Sequence, residues 1–105
     1  MTALQITTTS QDGTTRIELA GELDIATAPE LENVLETRFA DPGADLVLDL
    51  QGVTFLDSSG LRAVLVASRA AKDAGRRLVV VPGDGQVLRV IRLARVEDRL
   101  DLQGG

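Results

Sequence analysis

The chain has 105 residues, 44% of them apolar, a formal charge of −5, and no Cys, His, Trp or Tyr. This length supports one domain, residues 1–105, and the missing side chains exclude an imidazole base, a thiolate nucleophile, a disulfide framework and a thiolate metal site. Any catalysis would rest on carboxylates, hydroxyls, Arg or Lys72, so the expectation is a binding module and not an enzyme, with no cofactor and no metal.

Leu4, Ile6 and Thr8 alternate with polar neighbours, and Ile17, Leu19 and Gly21 do so again after Gln11-Asp12-Gly13. A period of two on both sides of a turn signal predicts a β-hairpin with one buried face. Thr27 and Glu30 have capping-box spacing, Pro29 sits near the helix start, and Leu31, Val34, Leu35 and Phe39 fall on one face of the helix that follows. Asp41-Pro42-Gly43 stops it. Leu46-Val47-Leu48-Asp49-Leu50 is apolar almost throughout, the pattern of a central strand covered on both faces. It leads through Gln51-Gly52-Val53 to a second helix, which starts near Ser58, carries Leu61, Val64, Leu65, Ser68 and Ala71 at helical spacing and ends at Gly75. Leu78-Val79-Val80-Val81 reads as another buried strand, closed by Pro82-Gly83. A third helix from about Asp84 turns Val87, Val90, Ile91 and Ala94 inward, and Leu100 and Leu102 form a short last strand before a loose Gly104-Gly105 end. The order ββαβαβα(β) predicts an α/β fold, a mixed central sheet of four to five strands with helices packed mainly on one face.

Charge is unevenly spread: residues 1–60 hold 11 acidic and 2 basic side chains, and residues 61–105 hold 5 and 9. The split predicts a two-sided surface. Phe39 and Phe55 are the only aromatics, so base-stacking rings are nearly absent and nucleic acid is not an expected partner. No apolar run approaches the ~20 residues of a membrane helix, and the N-terminus lacks a basic-then-apolar signal pattern. Both point to a cytoplasmic protein without direct membrane insertion. Arg89, Arg92 and Arg95 repeat every third residue, as a solvated helix face or a partner contact would, and Glu30, Glu32 and Glu36 suit the outer side of the first helix. Asp49 and Asp57 read as carboxylates that bond loop N–H groups, with a divalent cation the weaker alternative. Gly83-Asp84-Gly85 lacks the further Gly and Lys of a phosphate-cradling loop and reads as a turn capping the third helix.

The most informative stretch is Thr54-Phe55-Leu56-Asp57-Ser58-Ser59-Gly60-Leu61. Asp57 or Ser58 can accept the free N–H groups of the helix's first turn, and Gly60 lets another surface approach the backbone closely. Taken alone this is a helix cap. Residues 47–61, however, resemble the signature of the STAS family, specifically its anti-sigma factor antagonists. Gly21-Glu22-Leu23-Asp24 followed by Thr27-Ala28-Pro29 is similar to the same family's second strand and helix entry.

This resemblance implies a phosphorylation switch. The unphosphorylated protein binds an anti-sigma factor that is also a serine kinase and so frees the sigma factor for transcription. Phosphorylation of the first Ser of an Asp-Ser-Ser/Thr-Gly motif blocks that binding, and a metal-dependent phosphatase resets it. On this chain the acceptor is Ser58. Asp57, Ser59, Gly60, Leu61 and Arg62 surround it, with Glu22, Asp24 and Thr27 on the neighbouring loop, and the acidic half of the chain would lie largely on the partner's side. Arg62 departs from the pattern, because sporulation-type members carry a small Gly there, and a long cation bears on kinase choice. Two other readings stand beside this one: a STAS subunit of a membrane transport ATPase complex that is not phosphorylated, and a nucleotide-binding protein. The lack of His, of a phosphate loop and of a nearby Lys disfavours the last.

Overall fold

The computed structural model describes residues 3–40 and 45–103. Along the chain come β1 (Leu4–Gln11), β2 (Thr14–Leu23), α1 (Ala28–Phe39), β3 (Asp45–Leu56), α2 (Ser58–Asp73), β4 (Leu78–Val81), α3 (Gln86–Ala94) and β5 (Asp101–Leu102), with a 3-10 turn at Glu97–Arg99 before the last strand. The expected helix stop at Asp41-Pro42-Gly43 and the Gly104-Gly105 end lie outside the described residues.

β1 and β2 form the expected antiparallel hairpin. Its two-residue turn holds Asp12 and Gly13 at φ 52° and 79°, the positive values that a type I′ turn requires and that Asp-Gly tolerates. From β2 onward every strand pairs parallel with the next in sequence, giving the sheet order β1-β2-β3-β4-β5. A helical crossover between parallel strands is right-handed in about 98% of cases. Three such crossovers stepping the same way along the sheet put α1, α2 and α3 on one face. Their inner stripes, Leu31 and Leu35 of α1, Val64, Ala67 and Ala71 of α2, Val87 and Ile91 of α3, join Leu4, Ile17, Leu19, Leu46, Leu48, Leu50 and Val80 in one apolar cluster. Each Leu or Ile so buried contributes about 1.5–3 kcal/mol, which an aliphatic core needs in number.

The handedness that gathers the helices leaves the opposite face without them. The expectation that β3 is covered on both faces is met only in part: Leu46, Leu48 and Leu50 enter the core, whereas on the face without helices Val47 is half-buried and Asp49 is buried in an ion pair with Arg16 of β2. Burial pushes the Asp49 carboxyl up. The Gln51 backbone N–H at 2.9 Å, the Arg16 guanidinium and the Gln51 side-chain amide at 3.3 Å outweigh that and hold it below its ordinary value. Asp49 thus bonds an N–H two residues on, as its position suggested.

β3 also runs further than expected. Gln51-Gly52-Val53 is strand and not connector, and pairing to β2 continues to Leu56 across register shifts between Glu18 and Ala20 and between Gly21 and Glu22. A Cβ on Gly52 would lie 2.8 Å from the Leu19 carbonyl oxygen, so the glycine that resembles a turn signal permits an irregular ladder. α2 ends as expected, with Gly75 at φ 69° and the Arg76 N–H on the Ala71 carbonyl at 2.8 Å. The Arg76 guanidinium donates to the carbonyls of Arg38 and Phe39 at 3.2 and 2.7 Å, tying the end of α1 to the end of α2. α3 begins at Gln86, later than expected; Gly85 is its N-cap, no side chain caps it, and Ala94 is exposed instead of inward. No helix among the described residues is long and apolar enough to cross a membrane.

Candidate partner-docking and modification site

β2 and β3 run parallel and end as register partners, Leu23 beside Leu56, so the segments leading into α1 and α2 emerge together, whereas β4 ends earlier, with Val81 beside Asp49. The segments after β2 and β3 are neighbours because the strands are. They meet at Leu23, whose carbonyl accepts the Asp57 N–H at 3.4 Å.

The β2–α1 loop is closed on itself. Asp24 Oδ1 accepts the N–H groups of Ala26 at 3.0 Å and Thr27 at 3.1 Å, an Asx turn. Thr27 Oγ1 donates to the Glu22 carbonyl at 2.8 Å and accepts the Asp24 N–H at 3.0 Å. The capping box expected between Thr27 and Glu30 is therefore not formed: Thr27 occupies the N-cap position, but its hydroxyl makes no cap bond and is spent on the end of β2. This framework leaves Ile25 in solvent, 75% exposed.

The start of α2 is fixed from two sides. Asp57 is the N-cap, and its Oδ1 accepts the Gly60 N–H at 2.9 Å, so of the two residues able to cap the helix it is Asp57 that does so. Ser58 then takes the first helical position with its side chain exposed. Gly60 is buried, and a Cβ there would come 2.3 Å from the Leu23 carbonyl oxygen and 2.7 Å from Leu56 Cδ1. The surface for which Gly60 makes room is the chain's own β2.

Glu22, Ser58 and Arg62 are exposed, Asp24, Asp57 and Ser59 are half-buried, and Thr27, Gly60 and Leu61 are buried. Thr27 and Gly60 shape this surface from beneath, while Leu61, mostly buried, still lines a groove beside Ser58. Exposed apolar groups that sequence reasoning missed stand beside it: Ile25, Val66 at 54% and Phe55 at 43% exposure. Ile25, Pro29, Val66, Ser59, Arg62 and Glu32 are among the residues lining a groove of about 430 Å³ between α1 and α2. A second groove, of about 590 Å³, follows α2 past Ser58, Arg62, Val66 and Arg69. The signals were faint: Val66 lies off the inner stripe of its helix, and Ile25 is a lone branched side chain in a loop.

The acidic half of the chain is not gathered here, which corrects the charge reading. Asp12 and Asp45 lie at the other end of the sheet, where the Asp45 N–H bonds the Gly13 carbonyl at 3.1 Å, while Glu18 and Asp49 are register partners on β2 and β3. Glu22, Asp24, Asp57 and Glu32 remain near Ser58, and Arg62 of the basic half shares a groove with Glu32. Arg89 and Arg92 are exposed on α3, and Arg95 is exposed just past its end, as a left-handed C-cap at φ 58°. Among the described residues no group of His, Cys, Asp or Glu is placed to hold a metal ion.

Residues 6–104 match the family described as "Mlab, STAS domain". The anti-sigma-B factor antagonist of Staphylococcus aureus (strain NCTC 8325 / PS 47) is 29% identical over 102 residues, which span 97% of this chain and 94% of that one. The crystal structure of an anti-sigma factor antagonist from Mycobacterium paratuberculosis superposes with a TM-score of 0.86 at 28% identity, over 97% of this chain and 86% of that chain. The murine solute carrier 26 family member A9 anion transporter, in its inward-facing state, matches with a TM-score of 0.75 at 21% identity, over 92% of this chain and 17% of that one. That last likeness is one of fold alone.

Proposed function

The chain belongs to the STAS domain family, and on that footing we propose that it is an anti-sigma factor antagonist whose partner is an anti-sigma factor with serine kinase activity. The observation that carries this reading is Ser58: an exposed hydroxyl on the first turn of α2, held by a capped and packed backbone, next to a groove edged by exposed Ile25 and Val66. Near-full-length similarity to proteins named anti-sigma factor antagonists supports it. The protein is a kinase substrate and not an enzyme, a single cytoplasmic domain, and a metal-dependent phosphatase resets it.

In the unphosphorylated form the partner covers the surface around Ser58 and releases its sigma factor. The kinase then transfers the γ-phosphoryl group of ATP to Ser58 Oγ; the hydroxyl proton is lost and ADP leaves. A phosphate carries a charge of about −1.5 to −2 at pH 7 together with its bulk and hydration. Placed where the partner seats, it costs roughly 2–3 kcal/mol of binding, a ~30- to 150-fold weaker complex and enough for a switch. Incubation with the cognate kinase and ATP should add one phosphate by intact mass, mapped to Ser58; no addition, or addition elsewhere, removes the assignment. Ser58→Ala should bind the kinase and stay unmodified, and Ser58→Asp should bind more weakly in a titration. The fold also occurs in an anion transporter, so fold does not separate this reading from a transport-ATPase subunit. Co-purification with a transporter ATPase in place of an anti-sigma kinase would.

A further inference from the structure

Building on Ser58 as the acceptor, we propose that Arg62 is the intramolecular counter-ion of the Ser58 phosphate, so that modification withdraws a cation from the groove between α1 and α2 as well as adding an anion beside it. The two residues are four apart on α2, where neighbouring Cβ atoms lie about 5–6 Å from each other. Every Cα–Cβ bond of a helix tilts toward its N-terminus, so the side chain at position 62 leans over the turn that carries Ser58. Both residues line the groove that follows α2, and Arg62 also lines the groove between α1 and α2 together with Ile25, Val66 and Glu32. It therefore stands on the ridge between the two.

Arg62 is free to move. It is exposed, and among the described residues it makes no hydrogen bond or ion pair. Arg69, further along the same helix, is paired with Asp73 at 3.3 Å. Asp57, the acid nearest the helix start, already bonds the Gly60 N–H. A guanidinium matches a phosphate bidentately, with charge on both sides of each hydrogen bond. Drawing Arg62 toward position 58 leaves Glu32 without a nearby cation on the groove wall, so a partner residue chosen to meet a cation there meets a carboxylate instead. Phosphorylation then alters the surface at two places with one group, and an anion added to an already acidic neighbourhood disrupts more than its own footprint.

The test uses the full chain with phosphoserine incorporated at position 58 during translation, so that no kinase is required, and follows the phosphate by ³¹P NMR across its second ionisation near pH ~6. Arg62 should favour the dianion. Arg62→Gln should raise the phosphate's apparent pKa by about 0.3 unit or more, a twofold or larger change in proton affinity. The difference should shrink in 1 M NaCl, where the Debye length is about 3 Å. Arg89→Gln, on α3, should leave the titration unchanged. Superposable curves for the Arg62→Gln and parent chains overturn the pairing while leaving the acceptor role of Ser58 to the mass measurement. An equal shift from Arg89→Gln also overturns it, by showing that only net charge is felt.

Discussion

α2 and α3 each start after a parallel strand, yet their first turns are fixed in opposite ways. α2 has a carboxylate cap and presses Gly60 against Leu23 and Leu56; α3 begins at Gly85 with no side-chain cap, and a Cβ on Gly85 would meet nothing within 4 Å. An exposed side chain is only as well placed as the backbone beneath it. Ser58 rides on the tightly held start, and its hydroxyl is offered to solvent from a position that the interior determines.

The contrast should break most visibly at the two glycines. Gly60→Ala forces backbone apart and should cost about 3 kcal/mol, on the order of 10–20 °C in melting temperature for a domain of this size. Gly85→Ser should change stability by only a few tenths of a kcal/mol. Thermal melts of the two variants check this, and equal melting points would remove the distinction between the helix starts. The caps come next. Asp57→Ala should cost about 1 kcal/mol in a denaturant titration, whereas Asp84→Ala, which removes no cap bond, should stay within about 0.5 kcal/mol; an equal loss from Asp84→Ala would mean that α3 is capped after all.

The smallest effect belongs to Asp49, on the face of the sheet without helices and away from the start of α2. Asp49 has a folded-state pKa below its unfolded one. Its contribution is therefore complete above the unfolded value of about 3.9 and is lost as pH falls through the lower folded value. Asp49→Asn should flatten that part of the acid-unfolding curve and leave the response to Asp57→Ala unchanged; a curve as steep as the parent's would show that the Arg16 pair carries no pH-dependent stability.

Much of this architecture was legible because single residues allow few alternatives. Asp12-Gly13 sets the hairpin register, four apolar residues closed by Pro82-Gly83 set β4, and Gly75 ends α2. What was not legible involves partners far away in sequence. Gly52 reads as a turn until the Leu19 carbonyl is seen beside it, and Thr27 reads as the first half of a capping box until its hydroxyl is found on Glu22. Val79 and Val81 are buried, as the apolar run predicts, but they lie outside the main apolar cluster, because the side a strand residue faces follows from the direction of each crossover. At the site the motif located Ser58 and its cap. It could not say that Gly60 packs against β2, nor that Ile25 and Val66 would be left outside.

The strictly sequential strand order has a further consequence. In open α/β sheets, small ligands settle in the crevice at a topological switch point, where neighbouring strands send their helices to opposite faces. Strands β2 to β5 never reverse direction of travel, and their connecting helices share one face, so this end of the sheet has no such opening. It offers a grooved shelf made of the β2–α1 loop and the start of α2 in its place. A shelf of that shape suits the broad surface of another protein better than a nucleotide, and a single hydroxyl standing on it can decide whether the two surfaces close.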